Sequence, residues 1–123
     1  MDKIELKRRT QAFAIDVIKF LESLPDTRTV RILSHQLLRS CTSVGANYRS
    51  ACKAKSTADF VNKIVIVEEE ADESIYWLEL IEQTVPINHI KLSSLKKEAD
   101  ELTAIFTAIG KTAKANQKIQ KSR

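Results

Sequence analysis

The sequence predicts an all-α protein folded as an up-down-up-down antiparallel four-helix bundle, one domain over residues 1–123. Three observations lead there. Apolar residues recur in steps of three and four along most of the chain, the period of a helix face, and no segment alternates with the period of two that marks a strand. Only two glycines and two prolines occur, and the hydrophobic fraction of 43% is that of an ordered chain with a core. The breaks that do occur divide the chain into four segments of about 20–27 residues with short connections, which makes consecutive helices antiparallel neighbours.

The first helix is expected from about residue 3 to Leu24, with Leu6, Phe13, Val17, Phe20 or Leu21, and Leu24 on its core side and Pro25-Asp26 ending it. A cap at Asp26, Thr27 or Thr29 opens the second, whose stripe is Val30, Leu33, Leu37, Cys41, Val44, Tyr48 and Ala51. Ser56, with Asp59 three residues on, fits the start of the third helix. Its stripe reads Phe60, Ile64, Val67, Ala71, Ile75 (or Ser74), Leu78 and Ile81. Pro86-Ile87-Asn88-His89 makes the last connection. The fourth helix is expected from near Leu92, carrying Leu95, Ala99, Leu102, Phe106, Ile109 and Ala113, before residues 114–123 fade into a basic, frayed tail.

Two stripes exceed what a minimal bundle requires. Gln36, Ser40, Ser43, Asn47 and Ser50 run beside the core stripe of the second helix. Such small polar residues either let helices approach closely, with Asn47 bonding to a facing helix, or form a polar subunit contact or ligand groove. On the third helix Ile66, Glu70, Glu73, Trp77 and Leu80 lie about 100° from the core stripe. That angle leaves Trp77 near the bundle edge, where it either widens the core or meets a partner. Ser40, Ser43, Asn47, Ile66, Glu70, Glu73 and Trp77 are therefore the candidate oligomer interface.

Charge is segregated along the chain. Residues 27–58 hold six bases (Arg28, Arg31, Arg39, Arg49, Lys53, Lys55) and no acid; residues 59–85 hold eight acids and only Lys63; residues 111–123 carry +5. The net charge of +4 thus comes from the tail. Opposed charges across the seam between the second and third helices, or across a subunit boundary, are one expected use, with Arg39 set aside for an ion pair with the acids of the third helix. The other use is contact with a nucleic-acid backbone, for which Arg28, Arg31, Arg49, Lys53, Lys55, Lys111, Lys114, Lys118 and Lys121 are the candidates. The tail lysines share a helix face and have no aromatic neighbour, so contact there is expected to be phosphate-directed and weakly sequence-specific.

Nothing in the chain argues for catalysis or a cofactor. The Glu-x-x-His motif of di-iron bundles is absent, since Ile32 and Pro86 stand three residues before His35 and His89. No zinc spacing, glycine-rich phosphate loop or nucleophile elbow occurs. The acids of Glu68-Glu69-Glu70-Ala71-Asp72-Glu73 spread around a helix instead of converging. Cys41 and Cys52 lie about 16 Å apart along one helix, too far for a mutual disulfide. With no apolar run of membrane-spanning length and no signal-peptide core, a cytoplasmic protein without membrane contact is expected.

Three blocks carry a family resemblance: Arg39-Ser40-x-x-Ser43-Val44-Gly45-Ala46-Asn47, Ser56-x-x-Asp59-Phe60-x-x-Lys63, and Glu70-Ala71-Asp72-Glu73-x-x-Tyr76-Trp77-Leu78-Glu79-Leu80. Together they resemble the four-helix-bundle proteins encoded in intervening sequences of bacterial 23S rRNA genes. The resemblance is close over about residues 25–85, while the outer helices agree in length and pattern. It implies a left-handed antiparallel bundle assembled as a ring, typically a homopentamer. It also implies kinship with accessory proteins of diversity-generating retroelements, whose basic rings bind a reverse transcriptase and nucleic acid. Ser50 departs from the pattern, standing where the family often has Glu. The expectation is a non-enzymatic ring that binds RNA or DNA backbone as an accessory factor. The alternative is a protein–protein scaffold docking through the acidic Trp77 helix. The two separate on whether the bases of the second helix face the acidic third helix or solvent.

Overall fold

The computed structural model describes residues 1–122; Arg123, the last base of the expected tail, lies outside the described residues. Four helices account for nearly all of it: α1 (Lys3–Glu22), α2 (Arg28–Cys52), α3 (Thr57–Thr84) and α4 (His89–Lys121). Their 20, 25, 28 and 33 residues correspond to about 30, 38, 42 and 50 Å. Each start is fixed by a side chain that accepts otherwise unpaired helix N–H groups. Asp2 accepts from Glu5 (2.8 Å), Thr27 from Val30 (3.2 Å), Ser56 from Asp59 (3.1 Å), and Asn88 from Ile90 and Lys91 (3.0 and 3.3 Å). Asp59 in turn accepts from the Lys55 N–H at 3.1 Å, a variant of the reciprocal capping box.

The helices pack in cyclic order, α3 along both α2 and α4, and α1 against α2 and α4, and among the described residues the backbones of diagonal helices do not approach closely. This is the up-down-up-down antiparallel bundle. Phe13, Leu37, Ile64, Leu78, Ile81, Leu92, Leu102 and Phe106 fill its centre, and the Tyr48 ring meets Phe106 with centroids 5.4 Å apart. Close approach between helices depends on glycine at Gly45 but not at Gly110. A β-carbon on Gly45 would stand 3.2 Å from Thr10 Oγ1, and one on Gly110 would stand 3.5 Å from Ile64 Cγ2. Buried Thr10 tolerates that position because its hydroxyl donates to the Lys7 carbonyl at 3.0 Å.

Several expected details are corrected. The first helix stops at Glu22, and Leu24 packs on the core from the connection. Val61, not Phe60, is the buried residue at the start of α3; of the two alternatives in its middle, Ser74 is the buried one and Ile75 packs at the edge of the core. Asn88 caps α4 a turn earlier than expected, which places Leu92 inside the helix and fully buried. The largest correction concerns the tail. Residues expected to fray continue as helix to Lys121, and Asn116, Gln117 and Gln120 line clefts beside the start of α3. Ala, Lys and Gln dominate that stretch, and these residues sustain a helix without a core to pack on.

Candidate nucleic-acid interface and subunit surface

The topology gathers the start of α1, the end of α2, the start of α3 and the end of α4 at one pole of the bundle. A cleft of about 420 Å³ there is lined by residues of all four, including Lys3, Lys55, Phe60, Asn116 and Gln120. Arg49, Lys53, Lys55, Lys114, Lys118 and Lys121 are exposed and form no salt bridge among the described residues; Lys3 joins them, although the sequence did not single it out. Its place follows only once helix order is known. The acids of this pole are Asp2, which accepts from the Glu5 N–H at the α1 cap, the exposed Glu5, and Asp59, held by Lys63 Nζ at 2.9 Å. That ammonium, with the Lys55 N–H, holds the Asp59 carboxyl below its ordinary value.

The other expected contacts are not brought there. Arg28 and Arg31 stand at the far end of α2, about 30–37 Å from Lys53 by helix rise, and Arg31 pairs with Asp26 at 2.8 Å. Lys111 lines a separate cleft whose walls include Asp72 and Asp100, a near-neutral setting. The nine bases therefore do not form one surface. Lys53, Lys55, Arg49 and the last three tail lysines share a pole, and Arg28, Arg31 and Lys111 lie elsewhere.

The α2–α3 seam is organised by Arg39. Its Nη1 donates to the Glu70 carboxylate at 3.3 and 3.4 Å, its Nη2 pairs with Glu73, and Trp77 Nε1 donates to the same Glu73 at 3.1 Å. Arg39 thus makes the expected ion pair. It is also the one base of α2 that crosses to the α3 acids among the described residues, so the broad charge opposition expected across this seam is absent. Ser40 is fully buried, its hydroxyl accepting from Ser74 at 3.1 Å and donating to the Leu37 carbonyl at 3.2 Å. That contact ties the two helices together, as expected of small residues at a close helix approach, and burial takes Ser40 out of the candidate oligomer interface. Ser43 donates to Arg39 O at 2.6 Å and Asn47 to Ser43 O at 2.8 Å, both within α2, so Asn47 does not reach a facing helix. Around this seam Ile32 (54%), Ile66 (42%) and Tyr76 (54%) are exposed, and Tyr76 stacks edge-on against half-buried Trp77 at 5.0 Å.

A clamp that sequence reasoning missed joins α1 to α4. Arg9 grips Glu98 through two bonds of 2.7 and 2.8 Å and Glu101 through one of 2.6 Å. The Glu98 bond chiefly raises the Arg9 pKa. Residues so distant along the chain give no local signal. Cys41 is fully buried, and that burial pushes its thiol up to about 12, which removes it from nucleophilic chemistry. Burial also raises Tyr48. Among the described residues no group of three or more His, Cys, Asp or Glu stands together to hold a metal ion, and no helix is long and apolar enough to cross a membrane.

The comparisons agree with this architecture. No curated protein matches the chain. Of four solved chains that do, one is a crystal structure of a protein of unknown function from the S23 ribosomal protein family of Bacteroides thetaiotaomicron VPI-5482. It is 35% identical, with a TM-score of 0.82 over 90% of this chain and 99% of that one. The family model for the 23S rRNA-intervening sequence protein matches residues 2–108, which include α1, α2, α3 and more than half of α4. The chain belongs to the 23S rRNA-intervening sequence protein family.

Proposed function

We propose that this protein is a non-enzymatic accessory factor that assembles into a homo-oligomeric ring, a homopentamer by family analogy, and binds RNA or DNA backbone through its basic pole. The observation that carries the reading is the pole itself: bases from the α2 end and the α4 extension converge there without salt bridges among the described residues. Had the α2 bases turned to the α3 acids, little positive field would remain; Arg39 alone does so. Repetition of the pole around a ring multiplies a modest patch into a strong field. Self-association is supported by the exposed Ile32, Ile66 and Tyr76 beside Trp77, apolar surface of the kind that oligomers cover. A cytoplasmic setting suits such a role.

Light scattering on the purified chain, with fluorescence anisotropy on a labelled RNA over a salt series, tests both halves. A mass of several subunits and affinity that falls steeply with salt, and falls again on removal of residues 111–123, is expected. A monomer refutes the ring. An oligomer with no affinity at low salt refutes nucleic-acid binding and leaves the Trp77 surface, docking a protein partner, as the functional one.

A further inference from the structure

We infer that the basic pole takes an unpaired nucleic-acid strand in preference to a duplex, with a base seated against Phe60; this deepens the proposed function and rests on it. The argument begins with a side chain out of its expected place. The apolar period put Phe60 in the core, but Val61 occupies that position and Phe60 stays half-buried at the wall of the polar cleft between Lys3, Lys55, Asn116 and Gln120. The same ring also walls an adjoining, largely apolar cleft of about 340 Å³ floored by Ala108, Ile109 and Ala113. A flat hydrophobic recess thus opens directly from a basic one.

The lining chemistry matches one ligand class. Among the described residues no carboxylate lines either cleft. Lys3 and Lys55 supply positive charge for phosphates, and the amides of Asn116 and Gln120 offer both donors and acceptors to the edge of a base. Phe60 packs against the edge of the core and stays half-buried where it lines the cleft beside the small side chains Ala108 and Ala113. Among the described residues Phe60 is the one aromatic residue lining this pole that is not buried, since Tyr48 is packed on Phe106. Phosphate-binding lysines around a stacking platform are the arrangement that single strands use. A duplex keeps its bases stacked inside and could use only the lysines. A phosphorylated protein segment would use the lysines and not the plane.

The test compares a 5′-labelled 20-nucleotide oligo-U with a 20-base-pair duplex RNA, both binding the full-length chain at equal salt. Wild type is expected to bind oligo-U more tightly. Phe60→Leu, which keeps an apolar side chain at the position, is expected to weaken oligo-U about ten-fold and leave duplex affinity and both salt slopes unchanged. Phe60→Tyr is expected to retain oligo-U binding. It guards against a folding effect, as does the circular dichroism melt of each variant. Duplex preference in wild type, or a Phe60→Leu loss that is absent or equal on both ligands, overturns this inference while leaving backbone binding standing. Absence of wild-type binding to either ligand instead overturns the proposed function.

Discussion

Gly110→Ala should stabilise this protein, and the corresponding change at Gly45 should not. Both glycines lie inside helices at close crossings, so sequence alone gives them the same reading. Alanine is favoured over glycine in a helix interior by about 1 kcal/mol, part of it from the freedom glycine retains when unfolded. At Gly110 the added methyl would meet Ile64 Cγ2 at 3.5 Å and Glu68 Oε2 at 4.0 Å, ordinary contact distances, so nothing opposes that gain. At Gly45 it would stand 3.2 Å from Thr10 Oγ1 and 3.4 Å from Thr10 Cβ, on a side chain held by its own hydrogen bond to Lys7. Overpacking of that kind costs about 1–3 kcal/mol. The expectation is a gain of about 0.5–1.5 kcal/mol for Gly110→Ala and a net loss of about 0–2 kcal/mol for Gly45→Ala. In a domain of this size that raises the first variant's melting temperature by about 2–7 °C. Urea unfolding followed by circular dichroism measures it, at one protein concentration because an oligomer's stability depends on it. A less stable Gly110→Ala, or a Gly45→Ala that gains as much, would refute the packing argument.

Two further predictions concern titration and reactivity. Native protein at mildly alkaline pH should show one thiol reactive toward a disulfide reagent, half-exposed Cys52, and two after denaturation, because burial holds the Cys41 thiol at about 12; two fast native thiols would contradict this. Asp59 has a folded pKa below its ordinary 3.8, so its contribution is present above that value and lost as pH falls through the lower folded one. The difference in melting temperature between wild type and Asp59→Asn should therefore be constant near neutrality and shrink below about pH 4; a gap that widens in acid would contradict the pairing with Lys63.

Fold class and the order of the four helices were legible because apolar periodicity reports which face is buried. Its limits show at particular residues. Phe60 and Val61 are adjacent and both apolar, and the period alone cannot say which one the narrow end of a bundle admits. Ile75 is the more apolar member of its pair, yet Ser74 is buried because its hydroxyl finds Ser40 across the seam. Loss of the apolar stripe after Ala113 suggested fraying, but helix propensity carries α4 on where packing no longer does. Arg39 was legible from its place between a small-residue stripe and an acidic helix, whereas Arg9 was not, since its partners lie on the last helix. The basic surface was only half legible: charge runs along the chain counted Arg28 with Lys53, and only the fold reveals that Lys3 and the α4 lysines join Lys53 and not Arg28.

The claim that one pole carries nucleic-acid binding is tested most directly by comparing two double variants of equal charge change. Lys53→Gln with Lys55→Gln removes two charges from the pole, and Arg28→Gln with Arg31→Gln removes two from the far end of the same helix. The measurement is the slope of log affinity for a single-stranded RNA against log salt. Each lost phosphate contact removes about 0.7 from that slope for a single strand. The pole variant should lose affinity and flatten the slope by about 1.4 per subunit engaged, while the far-end variant should follow wild type. Equal losses in the two variants would contradict the account.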